Sequence, residues 1–423
     1  MADLSSRHDV LVIGGGNAAL CAAIAARRDG ASVLVLEAAP RFYRGGNTRH
    51  TRNMRCAHDS ATETLSGPYT EAEFLDDLMR VTGGRTDPDL ARLMIAESKE
   101  VLDWIQAQGV RFQPSLGGTL SLGRTNSFFL GGGRAMLNAL YLTAERLGVA
   151  VRYEAEVTAL DIADGTFLGA TVRHAGRSER VEATTLVAAA GGFEANIDWL
   201  KQGWGEAAEN FLIRGTPYNR GTVLRFYDEG EDIWPKRYAI WGRLVAQQPG
   251  QIAYILVDDP ALGLFMPSLY PPITAATIRE LAGKLALDPD ALEATVRDFN
   301  AAIRPGRFDP TNLDDCRTEG LDPPKTHWAR PIATPPFHAY PVRPGITFTY
   351  LGVRVDAEAR LVMADGGKAG NMFAAGEIMA GNVLGQGYAA GIGMTIGAVF
   401  GRIAGRGAAA EARRRRNVEE SPA

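Results

Sequence analysis

The sequence predicts an α/β protein in which a parallel sheet, discontinuous along the chain, is interrupted by an inserted α+β domain. Three observations predict it. Residues 9–40, DVLVIGGGNAALCAAIAARRDGASVLVLEAAP, read as an apolar strand, a glycine turn, an alanine-rich helix and a second apolar strand. Such near-continuous apolar strands belong to a parallel sheet buried on both faces. An apolar strand running into small residues and a carboxylate then recurs in TLVAAAGGFEAN (185–196) and NMFAAGEIMAGN (371–382). Between these two, from Thr216 to about Tyr340, the pattern stops and aromatics and prolines become frequent. The expected division is 1–215 and 341–408 for the sheet domain, 216–340 for the insertion and 409–423 for a charged, frayed tail containing the Arg413–Arg416 run.

The remaining elements follow in order. DLARLMIAESKEVLDWIQAQ (89–108) carries apolar residues at helical spacing. Residues 131–160 give a glycine turn, a helix from Ala135 to Leu147 and a strand around Val149–Tyr153. In the insertion, ALDPDALEATVRDFNAAIRPG contains a helix with Asp288 as N-cap and Pro289 at its first position. Between Glu377 and Arg402 no residue is charged, but Asn382, Gln386 and repeated glycines argue for a loop and a buried helix rather than a membrane span.

Composition narrows the function classes. Charged residues are 22% and apolar ones 46%, ordinary for a globular enzyme, and a net charge of −4 makes no case for nucleic acid. Cys21, Cys56 and Cys316 are far apart and lack metal or cluster spacing, so no metal is expected. The start, MADLSSRHDV, has no secretory pattern, and a cytoplasmic location is expected.

Gly14, Gly16 and Ala19 form G-x-G-x-x-A after a strand and at the start of a helix, with Asn17 and Ala18 in the same turn. The first glycine permits the tight turn, the second lets a pyrophosphate approach the backbone, and the small third residue allows close helix–strand packing. Glu37, followed by Ala38, ends the second strand where an acid accepts ribose hydroxyls. This is a Rossmann-like unit for an ADP-containing cofactor; the alternative is a purely structural turn. FAAGE (373–377) bears on NAD against FAD. A late strand ending in Gly-Glu suits a carboxylate on a flavin's ribityl chain, whereas the plainer alternative is an acid capping the next helix. RGGNTRHTRNMRC (44–56) packs four arginines and a histidine into thirteen residues, and its GGN segment suits a flavin-lining loop. FAD is the expected cofactor.

With these residues in hand, the chain resembles the flavoprotein subunits of the fumarate reductase and succinate dehydrogenase family, and more closely the FAD-dependent tricarballylate dehydrogenases. The likeness runs through GGGNAALCAAI, EAAPRFYRGGNTRHTRN, RTNSFFLGGGRAMLNA, AAAGGFEAN, RFYDEGEDIWPKRYAIWGR, PGITFTYLGV and AAGEIMAGNVLGQGYAAGIGMTIG, nearly the whole chain except its tail. The resemblance implies a Rossmann-like FAD-binding domain and a capping domain that closes over substrate. Gly14, Gly16 and Glu37 would then hold the ADP half, with Val157 offering backbone to adenine. Gly45, Gly46, Asn47 and Thr48 would line the flavin, with Ala190 and Gly191 packed against it. Glu377 would take the ribityl chain, Asn382 would stand nearby, and the turn Gly391–Met394 would present a helix N-terminus to the pyrimidine edge.

Relatives transfer a hydride between flavin N5 and one carbon of a succinate-like unit while an acid–base group handles the proton on its neighbour. That group in the fumarate reductases is an arginine shortly after an RF-x-x-E stretch in the cap. Here RFYDE (225–229) is followed by Arg237, and Asp228, Glu229, Glu231 and Asp232 are nearby to relay a proton. Three departures stand out: Thr347-Phe348 replaces a paired histidine, Tyr388 stands near an expected arginine, and the cap is shortened between Thr222 and Arg225. Tyr388 is a second acid–base candidate, as in ketosteroid dehydrogenases. Arg49, Arg52 and Thr347 are the expected contacts to a small polycarboxylate, most simply tricarballylate going to cis-aconitate. Electrons would leave to a separate membrane protein with iron–sulfur or haem centres, which alone would bring the chain to the inner face of a membrane. Two alternatives remain open: a dehydrogenase of a neutral enone, and a flavin-binding protein without turnover.

Overall fold

The first strand, His8–Ile13, lies at the middle of a six-stranded sheet. The order across that sheet is Arg360–Val362, Lys368–Ala374, Ala183–Ala188, His8–Ile13, Val33–Leu36 and Ala150–Arg152. All neighbours pair in parallel except the first two, which are antiparallel. Val12 faces Val35 on one side and Val187 on the other, and Val10, Leu11 and Val12 are fully buried. Taken in chain order, the parallel strands run 3-2-1-4-5, so the direction of winding reverses between the first strand and Ala183–Ala188. Ligands of such sheets bind outside the strands' carboxyl ends at that reversal.

The computed structural model describes residues 7–115, 122–192, 202, 225–265, 268, 270–346 and 348–420. The chain divides into two units, one of Met1–Leu116, Leu122–Glu194 and Thr347–Ala423, the other of Gly117–Ser121 and Ala195–Ile346. The second unit thus takes in chain on both sides of the expected 216–340. The shortened stretch between Thr222 and Arg225 lies outside the described residues.

In the first unit the alanine-rich segment forms the helix Asn17–Arg28, and the predicted helices at 89–108 and 135–147 are Pro88–Ala107 and Gly132–Arg146. The long last helix, Ile392–Glu420, corrects the expectation of a frayed tail from 409. Ala412 is buried, Arg416 pairs with Asp9, and Arg413 donates to the Asp29 carbonyl at 2.7 Å. The arginine run therefore ties the helix end to the first strand and the loop after the first helix.

First and last helices meet along a seam of small residues. A Cβ on Gly397 would lie 2.8 Å from Asn17 Nδ2, one on Gly401 2.6 Å from the Ala18 carbonyl oxygen, and one on Gly405 2.9 Å from the Ala22 carbonyl carbon. Glycine at every fourth position lets the backbones approach, and it brings both helix N-termini to the same end of the sheet.

The second unit holds an antiparallel sheet ordered Ala253–Asp258, Phe337–Val342, Ile273–Ala275. One small core joins Ala275, Leu281, Leu285, Phe337 and Ala339. Its helix Pro289–Ala302 starts as the sequence predicts: Asp288 accepts hydrogen bonds from Asp290 N at 2.9 Å and Ala291 N at 3.0 Å. Among the described residues, no helix is long and apolar enough to cross a membrane.

Candidate functional site

The first helix begins at Asn17 with Gly16 as N-cap, so no side chain of the cap residue satisfies its first amides. A helix N-terminus approached over glycine is a ready site for an anion. Gly14 has φ +106°, and a Cβ there would stand 2.9 Å from the Ala189 carbonyl carbon and 3.2 Å from Ala190 Cα. The turn therefore sits against the end of the neighbouring strand, at the reversal point. Thr48 Oγ1 accepts the Asn17 amide at 3.1 Å, which docks the Gly46–His50 turn onto the glycine loop. Gly46 has φ +49°, and a Cβ added there would meet no atom of the described residues within 4 Å; Gly191 has φ +83° and the same open surroundings.

Glu37 is buried and bonded: its Oε2 accepts from Gly45 N at 3.0 Å and its Oε1 from Ala39 N at 2.9 Å. Ala38 beside it is exposed. The strand carrying Val157 starts alongside, since Ala155 donates its amide to the Glu37 carbonyl at 3.1 Å. Tyr141, which sequence reasoning missed, donates its hydroxyl to the Gly15 carbonyl at 2.8 Å. Arg44 lies 3.9 Å above the Tyr141 ring and bonds the Tyr153 hydroxyl at 2.7 Å.

A second set of groups gathers at the start of the last helix. Asn17 Nδ2 donates to the Met394 carbonyl at 2.9 Å, joining the two helix starts directly. Gly391, at φ +80°, is held so tightly that a Cβ would fall 2.7 Å from Asn53 Oδ1 and 2.8 Å from Arg55 N. The Ala390 carbonyl accepts from Asn126 Nδ2 at 2.8 Å and from Arg55 Nε at 3.1 Å. The carbonyl turned inward directs the Gly391 amide the other way, and the amides of Ala389, Ala390 and Gly391 find no acceptor among the described residues. Glu377 is braced at the preceding strand end, where its Oε1 accepts from Thr349 N at 2.8 Å. Asn382 uses its side-chain amide on the Val353 and Met379 carbonyls at 2.9 and 2.6 Å, a brace between two loops.

The basic loop is divided among different tasks. Arg55 is fully buried, bonded to the Tyr69 hydroxyl at 2.8 Å and 3.6 Å from Asp77. Arg49 bends back to the Phe42 carbonyl at 2.5 Å, and Arg52 is exposed. Thr347 and the residues after Gly192 up to 201 lie outside the described residues. Asn47 is exposed at the loop surface.

Of the two acid–base candidates, Tyr388 belongs to the first unit and Arg237 to the second. The Tyr388 hydroxyl accepts the Gly393 amide at 3.3 Å, its ring lies 5.1 Å from Phe348, and burial pushes its phenol up to about 12. Arg237 stands in the helix Trp234–Ala246, largely buried and paired with Glu231, while its Nε has no partner among the described residues. No group of three or more His, Cys, Asp or Glu among the described residues is placed to hold a metal.

The fold and this end of the sheet define a dinucleotide-binding protein. A helix start with glycine as its cap residue, a glycine cradle that any side chain would fill, and three unclaimed amides at a second helix start together fit an elongated anionic cofactor. The chain belongs to the FAD binding domain family, whose model matches residues 9–227 and 236–394, and its cofactor is FAD. It is similar to an NADH:fumarate oxidoreductase of Klebsiella pneumoniae, 24% identical over 96% of this chain and 48% of the relative, so it spans about half of that protein's length. It is also similar to a probable fumarate reductase of Shewanella frigidimarina, 25% identical over 96% of this chain and 76% of the relative. Among solved structures, a 3-ketosteroid-Δ4-(5α)-dehydrogenase of Rhodococcus jostii shares the fold, with a TM-score of 0.72, 21% identity, and coverage of 97% of this chain and 98% of that one.

Proposed function

We propose that the protein oxidises a carbon–carbon single bond flanked by carboxylates, with tricarballylate going to cis-aconitate as the leading reaction. The observation that carries this reading is the Arg237–Glu231 couple. An arginine's ordinary pKa keeps it charged, so it can exchange a proton only beside a group that passes protons on. Glu231 is that group: it contacts the guanidinium and its side chain is 49% exposed, which leaves it open to solvent.

FAD, when bound, supplies the acceptor for the hydride that leaves the substrate. The residues divide the remaining work. Gly14, Gly16, Asn17 and Ala18 would hold the diphosphate at the first helix, with Glu37 and Ala38 at the ribose and the Val157 backbone at adenine. Gly45, Gly46, Asn47 and Thr48 would line one side of the flavin, with Ala190 and Gly191 near it. Glu377 would take the ribityl hydroxyls, Asn382 would hold the loop beneath, and Gly391 and Met394 would face the pyrimidine edge. Arg49 and Arg52, with Thr347, would meet the substrate carboxylates, Arg49 leaving the Phe42 carbonyl to do so. Electrons would then pass to a separate iron–sulfur or haem protein at a membrane.

The test is anaerobic. Tricarballylate added to the purified flavoprotein should bleach the visible flavin band, and Arg237→Lys should slow bleaching at least about 100-fold with FAD retained, the usual scale for a lost acid–base group. An unchanged band in the wild type would sink the substrate and favour a protein that binds flavin without turnover. A second reading, oxidation of a neutral enone-type substrate, is favoured by the placement of Tyr388 against Phe348 with its hydroxyl on the Gly393 amide. Under it Tyr388→Phe abolishes turnover and Arg237→Lys does not.

A further inference from the structure

Arg55 is a cation of the basic loop that the reading above leaves without a role, and its surroundings are unusual. It lies on the short strand Asn53–Arg55, where both Met54 and Arg55 are buried. There the guanidinium is 1% exposed, among Tyr69, Phe74 and Asp77. Tyr69 links the charges, accepting from Arg55 Nη1 at 2.8 Å and donating to Asp77 Oδ2 at 2.8 Å. A buried ion pair of this kind is weak evidence for stability, because desolvation offsets the attraction. Its remaining contact shows what it reaches: Arg55 Nε donates to the Ala390 carbonyl, the last but one before the final helix.

That carbonyl is clamped twice, by Arg55 and by Asn126, and Asn126 also bonds Asn53 Oδ1 at 3.0 Å. The next carbonyl is held as well, since Gly391 O accepts the Arg55 amide at 3.4 Å. Thr395 Oγ1 bonds the Arg55 carbonyl and closes the ring of contacts. In a peptide chain, fixing a carbonyl on one side fixes the amide of the next residue on the other. The clamp on the Ala390 carbonyl thereby sets the direction of the Gly391 amide, which has no acceptor among the described residues.

We propose that Arg55 is a positioning residue that, together with Asn126, aims the Gly391 amide at the flavin's pyrimidine edge and so stabilises the negative charge that edge gains on reduction. The proposal rests on the reading that the Gly391–Met394 turn faces the flavin. Preorganised donors of this sort act strongly because they need no rearrangement when charge develops.

The experiment measures the reduced-to-oxidised ratio of bound flavin at equilibrium with a reference dye, together with FAD content and thermal stability. Arg55→Met should shift the ratio at least tenfold toward oxidised flavin, about 30 mV for a two-electron couple. Arg55→Lys, which keeps a cationic donor in the same chamber, should recover most of the shift. Asn126→Ala removes the other donor to the Ala390 carbonyl without altering charge; it should shift the ratio in the same direction by a few-fold, and it serves if Arg55→Met fails to fold. Variants that retain FAD and melt earlier but keep the wild-type ratio would overturn the proposal and leave Arg55 as packing. Failure of the underlying reading would look different: Gly391→Ala, which crowds the turn itself against Arg55 N, would then also leave the ratio at its wild-type value, whereas it shifts the ratio if the turn faces the flavin.

Discussion

Gly14 and Gly46 both have positive φ, +106° and +49°, so alanine at either costs on the order of 1–2 kcal/mol for the left-handed backbone. Their surroundings differ. A Cβ on Gly14 would press on the Ala189–Ala190 backbone, 2.9 Å from the Ala189 carbonyl carbon, and such overpacking adds about 1–3 kcal/mol. One on Gly46 meets nothing among the described residues within 4 Å. Gly14→Ala should therefore destabilise the flavin-free protein by about 2–5 kcal/mol and Gly46→Ala by about 1–2 kcal/mol. In urea, with a slope of about 3 kcal/mol per molar, the first change lowers the midpoint by roughly 0.7–1.7 M. FAD titration of the same proteins separates space from strain. If the open volume over Gly46 receives the flavin, Gly46→Ala weakens FAD binding at least about tenfold, 1.4 kcal/mol, despite its small cost to folding. Wild-type FAD affinity in Gly46→Ala would refute the assignment of this loop to the cofactor. A Gly14→Ala midpoint no lower than that of Gly46→Ala would refute the argument from crowding.

Other outcomes can be checked alongside. Tyr388 has its phenol raised to about 12, so the unfolded chain ionises it first, above pH 10; stability should be intact below pH 10 and fall as pH rises through about 12. Unfolding free energies between pH 8 and 11 should show that loss diminished in Tyr388→Phe, and an unchanged slope would refute the link. Gly405→Ala, pressed against the Ala22 backbone, should cost about 1–3 kcal/mol by calorimetry, whereas a neutral change would mean the helices can part freely. Asp288→Ala removes a helix cap and should cost about 1 kcal/mol in the second unit. Arg416→Ala breaks an exposed pair and should cost under about 1 kcal/mol, with hydrogen exchange still showing helix through residue 412.

What the sequence revealed was set by how local each signal is. Asp288-Pro289 marks a helix start because cap and first turn lie within three residues, and the G-x-G-x-x-A turn is likewise read from its own neighbours. The last helix was missed past residue 409 because its partners, Asp9 and Asp29, stand at the other end of the chain. Arginines 49, 52 and 55 stand at intervals of three in one basic loop, with nothing local to tell them apart. A short strand turns the third into the core, and no periodicity over three residues announces a strand of that length. Asn126 and Tyr141 gave no signal of their own, since each acts on a backbone carbonyl more than a hundred residues away.

The seam between the first and last helices has a consequence for how the protein is made. Ala18 and Gly401 pack backbone to backbone, yet nearly the whole chain separates them. Contacts so distant in sequence form late, after most of the loop entropy has been spent. While the ribosome is still adding the second unit, the alanine face of the first helix has no neighbour, and the turn at Gly391 does not exist. On the proposed assignment of that turn to the flavin, chains cut short before it carry an intact glycine fingerprint and still lack half of the cofactor's cradle. Retained flavin colour thus reports that synthesis passed the seam, and a nonsense mutation a few turns of helix ahead of it should yield colourless protein.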